Sequence, residues 1–231
     1  EDIQVALIGT GAANVATLRL LLASGVAFGN VIACDSSGIL HPEREDIEAR
    51  KTEFVDKWRI CQQSNAEGKR GGMPEALRGA DVCIAASKPG PGTIQPEWVE
   101  AMAEDAIMFA CANPVPEIWP WEAKAAGARI VGTGRSDFAN QINNSLGFPA
   151  IFRGVLDVRA TTITDEMAIA AAQALASFQR ERTFDEEHLL PTMSDWEVFP
   201  REAAAVGIRA QEQGVARRGL SYTELLNQAR Q

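Results

Sequence analysis

Ile3-Gln4-Val5-Ala6-Leu7-Ile8-Gly9-Thr10-Gly11-Ala12-Ala13-Asn14 stands at the start of the chain, and Val15-Ala16-Thr17-Leu18-Arg19-Leu20-Leu21-Leu22 continues it. Apolar residues, several of them β-branched, run into Gly-x-Gly, and apolar residues at helical spacing follow. That order predicts strand, tight turn and helix. In such a unit Gly9 permits the turn and Gly11 lets the backbone approach a pyrophosphate. The helix beginning near Ala12 aims unpaired N–H groups and its positive dipole end at that anion. A second apolar strand, Val31-Ile32-Ala33-Cys34, ends in Asp35, where a carboxylate meets the hydroxyls of an adenosine ribose. The candidate cofactor-binding residues here are Gly9, Thr10, Gly11, Ala12, Ala13, Asn14, Asp35 and Ser36. Asn14 takes the place of the last glycine of G-x-G-x-x-G. Its amide has two uses open to it, a phosphate oxygen or a cap-like backbone group.

The 231 residues hold one large domain or one and a half. With 46% hydrophobic and 23% charged residues, the composition is that of a soluble, well-cored protein. A formal net charge of −9 argues against nucleic acid and anionic membrane surfaces as partners. Cys34, Cys61, Cys83 and Cys111 show no C-x-x-C spacing, and three lie in predicted strands as small apolar residues. The expected compartment is the cytoplasm, since there is neither a signal peptide nor a long apolar run. The chain starts directly at its first strand, as a fragment of a longer polypeptide would.

Further along, residues 36–44 read as a loop with Gly38 and Pro42, and residues 45–58 as one helix. Residues 64–72 read as a flexible loop and 74–77 as a short helix. Strands are expected at 82–85, 107–110 and 129–131, with helices at 96–102 and 120–126 between them. This alternation predicts an α/β fold, a doubly wound, Rossmann-like parallel sheet over residues 1–140. In such sheets ligands sit beyond the carboxyl ends of the strands. Asp35, Ser87, Asn113 and Thr133 all fall just after strand ends and are expected to ring one crevice. Residues 141–231 carry no strand signal. They form a mostly helical extension, with helices at 165–180, 201–214 and 222–229, that packs beside the first domain or completes a missing catalytic one.

Few residues offer catalysis. His41 and His188 have no partner at ligand spacing, and no H-E-x-x-H, cysteine cluster or Gly-x-Ser-x-Gly occurs. Trp119 and Trp121 read as packing residues. Asn113 precedes Pro114 and is held extended at a strand end, where its amide suits a carboxamide or carboxylate ligand. Asn144 offers the same chemistry from an amide-rich loop. Turn capping is the alternative use for both.

Several blocks together resemble prokaryotic malic enzyme. They are Gly9-Thr10-Gly11-Ala12-Ala13, Cys34-Asp35-Ser36-Ser37-Gly38, Phe109-Ala110-Cys111-Ala112-Asn113-Pro114-Val115-Pro116-Glu117-Ile118, Gly132-Thr133-Gly134-Arg135-Ser136-Asp137-Phe138, and the run from Asn140 through Asn143-Asn144 to Ala160. The resemblance implies the carboxyl-terminal, NAD-binding portion of an enzyme that oxidises malate with NAD or NADP and decarboxylates it to pyruvate. It implies that Asn113 lies beside the nicotinamide and substrate, and that Asn144 contacts the malate carboxylate. The family's lysine base, tyrosine acid and acidic ligands for Mg or Mn lie upstream of the glycine loop. No catalytic or metal-ligating residue is therefore assigned here, and the chain alone is expected to be inactive. A homo-oligomer that includes a missing amino-terminal domain is the implied assembly. A non-catalytic dinucleotide-sensing module and a dehydrogenase for another small acid are the alternatives. For the cofactor, Asp35 favours NAD, whereas Arg44 and the Lys69-Arg70 pair offer partners for the extra phosphate of NADP. The balance falls to NAD.

Overall fold

The structure is a computed structural model that describes residues 2–231. The chain divides into two compact units, the first ending at Ile142 and the second spanning Asn143–Gln231.

The first unit alternates strand and helix. Its strands are β1 (Val5–Ile8), β2 (Val31–Asp35), β3 (Gly38–Ile39), β4 (Val82–Ala85), β5 (Ile107–Ala110) and β6 (Ile130–Thr133). Its helices are α1 (Ala12–Ala23), α2 (Glu45–Glu48), α3 (Val55–Gln63), α4 (Met73–Leu77), α5 (Pro96–Glu100) and α6 (Pro120–Ala125). The sheet order is β3-β2-β1-β4-β5-β6, and only β3 runs antiparallel. Both faces are covered, so β1 is buried along its whole length and reads as a continuous apolar run. Val5 and Leu7 join Leu18, Ile47, Ile60 and Cys61 on one face. Ala6 and Ile8 join Leu77, Val99, Ala123 and the inner residues of β4 and β5 on the other.

Register positions the site. Ile8 pairs with Cys34 and Ala85, Ala85 with Ala110, and Ala110 with Thr133. The parallel strands therefore end level, and the loops after β1, β2, β4, β5 and β6 open on one edge.

Two expectations change. Residues 45–58 are not one helix: α2 stops after a single turn, Phe54 leaves helical geometry at φ −100°, ψ 49°, and α3 starts anew. Ile47, Ile60 and Cys61 all bury in one core cluster, and a bend delivers them there better than a straight rod. Residues 36–44 are not all loop, because Asp35 pairs with Gly38 and Cys34 with Ile39 in a short hairpin. Gly38 at φ +119° lies 2.6 Å, at an added Cβ, from the Gly71 carbonyl, a position that only glycine takes without strain.

The second unit is helical: α7 (Phe148–Asp157), α8 (Asp165–Arg180), α9 (Val198–Glu212) and α10 (Tyr222–Ala229). Its core holds Val158, Met167, Ala171, Ala204, Val206, Ala210 and Leu225. α7 was not among the expected helices, although Phe148, Ile151, Phe152, Val155 and Leu156 recur at helical spacing around Gly154. A Cβ there would lie 2.4 Å from the Ala203 carbonyl, so the glycine permits close packing of α7 on α9. α9 begins at Val198 rather than Arg201, with Pro200 in its first turn, where no helical N–H is lost. Among the described residues no helix is long and apolar enough to cross a membrane.

Candidate functional site

Gly9 and Gly11 serve different ends. Gly9 has φ +90°, and a Cβ on it would lie 2.4 Å from the Ala86 carbonyl, so it belongs to the turn itself. Gly11 has φ −83° and ψ −176°, open to any residue, and an added Cβ would meet nothing within 4 Å. Its freedom faces outward. Gly11, Ala12 and Ala13 are exposed at the start of α1. The helix has no side-chain N-cap and no acidic residue in its first turn. The first-turn N–H groups thus keep their capacity for an anion. The Thr10 hydroxyl is buried without a hydrogen-bond partner. Orphaned hydroxyl, uncapped N–H groups and open space above Gly11 together fit a pyrophosphate.

Asn14 takes the second of its two uses. It is 2% exposed, and its amide nitrogen donates to the carbonyls of Ile8 (3.0 Å), Gly9 (2.7 Å) and Ile84 (3.2 Å). It pins the loop to β1 and β4 and does not reach outward.

Asp35 ends β2 and is already held. Oδ1 accepts from the Ser37 N–H (2.9 Å) and Arg44 Nη1 (3.1 Å), and Oδ2 from Arg44 Nη2 (3.2 Å) and Lys57 Nζ (3.1 Å). Burial pushes its carboxyl upward, but the bonds from Arg44, the Ser37 N–H and Lys57 outweigh this and hold it below the usual range. Arg44 also forks onto Asp46, at 2.7 Å for each bond, and these bonds together with Asp35 outweigh burial and leave its own pKa raised. Asp35, Ser36 and Arg44 line a cavity of about 560 Å³. Thr10, Gly11, Ala12 and Lys57 line another of about 310 Å³.

Lys69 does not reach this place, whereas Arg70 touches His41 on the wall of the Asp35 cavity. Lys69 Nζ donates to the Arg78 carbonyl (2.7 Å) and to Gln4 Oε1 (3.4 Å), beside the amino end of β1. Arg70 pairs with Glu43 at 3.0 Å and contacts His41. Asn65 brackets Lys69, bonding both its N–H and its carbonyl at 2.8 Å, so the loop is fastened there. Lys57, which sequence reasoning passed over, is the second cation at Asp35.

The far half of the edge is built around Glu117, also passed over. It is 0% exposed. Its Oε1 accepts from Ser87 N (2.8 Å) and Ser87 Oγ (3.0 Å), and its Oε2 from Ala112 N (3.1 Å). The Ser87 hydroxyl is therefore spent inside the protein. Thr133 is likewise buried, and its Oγ1 accepts from Arg135 N at 3.3 Å, so it is not a rim residue. The signal for Glu117 was a lone carboxylate among Val115, Pro116 and Ile118. Asn113 is exposed, and its amide makes no hydrogen bond to the described residues. Gly134 leaves it room, since a Cβ there would lie 3.2 Å from Asn113 Oδ1. Trp119 and Trp121 stack on each other at 4.9 Å with Phe138 edge-on to both.

In the second unit, Asn143 is the capping residue: its Oδ1 accepts from Ser145 N at 2.9 Å at the start of a 3₁₀ turn. Asn144 next to it is exposed and caps nothing. Among the described residues no three His, Cys, Asp or Glu side chains are grouped to hold a metal ion.

The sequence profile of the family described as "Malic enzyme, NAD binding domain" matches residues 2–211. The bifunctional malic/malolactic enzyme of Bacillus subtilis is 42% identical over 231 residues, covering 100% of this chain and 54% of that protein. The NADP-dependent malic enzyme of Halomonas elongata is 36% identical, covering 94% and 52%. The malic enzyme structure from Entamoeba histolytica superposes with a TM-score of 0.95 at 46% identity, covering 99% of this chain and 47% of that one. That from Pyrococcus horikoshii gives 0.91 at 48%, covering 99% and 52%. The chain spans about half the length of these relatives. With the fold, the glycine loop and the profile in agreement, the chain belongs to the malic enzyme family, within its NAD-binding domain.

Proposed function

We propose that this chain is the dinucleotide-binding portion of an enzyme that oxidises malate with NAD or NADP and decarboxylates it to pyruvate. The observation that carries the reading is the uncapped start of α1, with open space above Gly11 and an unpartnered Thr10 hydroxyl. The bound dinucleotide supplies the hydride acceptor. Gly11, Ala12 and Ala13 hold its pyrophosphate through backbone N–H groups, Thr10 adds a hydroxyl, and Asp35 and Ser36 meet the adenosine ribose. Gly9 and Asn14 shape the loop from within, and Ser87 shapes the wall. Asn113 faces the nicotinamide and substrate, and Asn144 the malate carboxylate. The general base, the general acid and the ligands of Mg or Mn lie outside these residues, in a further amino-terminal portion.

An assembly and a compartment follow from the same reading. Phe148, Phe152 and Leu156 form a stripe along α7 that is 50–70% exposed, which favours burial in a homo-oligomer of the longer polypeptide. Four free thiols, three of them buried, suit the reducing cytoplasm.

The asparagines provide a direct test. Neither side chain bonds within the described residues, so Asn113→Ala and Asn144→Ala are each expected to change stability by less than about 1 kcal/mol. In the complete enzyme each is expected to lower kcat/KM for malate roughly tenfold or more, the scale of a lost bond to a charged group. Destabilised variants with unchanged kinetics would favour a structural role. For the chain alone, no malate-dependent reduction of NAD or NADP is expected, even with Mg or Mn, because base and acid are missing. Turnover by the purified chain would contradict that.

Cofactor choice follows from Asp35. Its carboxylate accepts from ribose hydroxyls, which favours NAD, while Arg44 and Lys57 beside it offset the charge that would otherwise repel a 2′-phosphate. Competitive titration is expected to show tighter NAD binding, narrowed by Asp35→Ser and unaffected by Lys69→Ala, whose side chain is held at the amino end of β1. Tighter NADP binding that disappears in Lys57→Ala would reverse the assignment.

A further inference from the structure

Glu117 is a carboxylate fully enclosed in the first unit, and every bond it makes goes to the two loops on the far half of the crevice. The loop after β4 supplies Ser87 N and Oγ, and the loop after β5 supplies Ala112 N, one residue before Asn113. The Glu117 backbone adds to this, since its carbonyl accepts from Ile94 N at 3.1 Å while Val115 O accepts from Gly90 N at 3.2 Å. The loops are thus laced by backbone bonds and locked at their roots by one side chain. An apolar residue in that place would leave three donors unmet, the Ala112 N–H fully buried and the two of Ser87 partly so, each at a cost. A glutamine would keep the volume but turn an NH₂ group toward N–H donors.

The strand order makes this position functional. Chain order reverses beside β1, where a dinucleotide lies across the carboxyl edge. The glycine loop after β1 and Asp35 after β2 take the pyrophosphate and adenosine, so the nicotinamide half extends over β4 and β5. We infer that Glu117 is a positioning residue for that half, setting the Ser87 loop and Asn113 at the spacing the nicotinamide riboside requires. This rests on the dinucleotide reading above.

The test compares NAD with ADP, which carries only the adenosine and pyrophosphate, by calorimetric titration of the 231-residue chain. Glu117→Gln is expected to leave ADP affinity within about twofold, because that half is held elsewhere. NAD affinity is expected to fall roughly fivefold or more, so the ratio of the two affinities drops. Ser87→Ala, which removes one of the three bonds and keeps the backbone pair, is expected to lower the ratio less and to fold in any case. An unchanged ratio in Glu117→Gln, or in Ser87→Ala should the first fail to fold, overturns the inference. Equal losses for NAD and ADP would reduce Glu117 to a brace of the fold and overturn it too. A wild type that binds ADP but gains nothing from the nicotinamide half also overturns it. A wild type that binds neither ligand overturns the dinucleotide reading itself, and the inference with it.

Discussion

Gly11→Val is expected to abolish dinucleotide binding in a chain that remains folded. Gly11 already sits at φ −83°, ψ −176°, which valine adopts freely, and its Cβ would enter open space. The cost to the fold is about 1 kcal/mol, since valine is a poor N-cap. The added isopropyl group would stand where the pyrophosphate must approach the first-turn N–H groups of α1. Gly9→Ala is the contrasting control. At φ +90°, with the Ala86 carbonyl 2.4 Å from the new Cβ, alanine must displace the backbone just after β4. A loss of at least about 2 kcal/mol in stability is expected from strain and clash together. Thermal melts and NAD titrations of both variants separate the roles. Gly11→Val that binds normally would place the ligand elsewhere. Gly9→Ala with normal stability would contradict the turn geometry.

The second large effect lies far from the glycine loop in sequence. Glu202 on α9 is fully buried, and neither carboxylate oxygen has a hydrogen-bond partner. Burial pushes its pKa from 4.5 to about 8. A raised acid contributes its full stability below the unfolded value and loses it as pH climbs toward the folded one. Between pH 4.5 and 8 the carboxyl must remain protonated against its preference, at about 1.4 kcal/mol per unit. The penalty reaches about 3 kcal/mol at pH 7 and levels off above pH 8. Glu202→Gln removes the titration and keeps the shape. Its stability relative to wild type is expected to rise by about 3 kcal/mol between pH 4.5 and 7, measured by urea unfolding at each pH. A difference that stays flat across this window would mean that the carboxyl reaches water or a partner.

What was legible in the sequence is what short-range chemistry determines. Val5–Ile8 followed by Gly9 and Gly11 could be read at once, because turn geometry and helix start lie within a few residues. The doubly wound order followed from strands and helices alternating at ordinary spacing. The misses are choices made by side chains across long separations. Asp35 recruits Lys57, which lies 22 positions away on the far side of a helix break. Periodicity over residues 45–58 had concealed that break, since both short helices bury on the same cluster. Lys69 looked available for a phosphate, yet the Arg78 carbonyl and Gln4 hold it at the opposite edge of the sheet. Ser87 looked like a ligand contact because it follows a strand, but Glu117, 30 positions on, takes its hydroxyl. Gly154 is set in the same way: the close packing that requires a glycine there is with Ala203, remote in sequence.

The most direct measurement is amide hydrogen exchange on this chain with and without saturating NAD. Protection is expected at the amides of Thr10, Gly11, Ala12 and Ala13, at Asp35 and Ser36, and around Asn113, with α10 unchanged. Saturable binding that leaves residues 10–13 exchanging at their free rate would contradict the account.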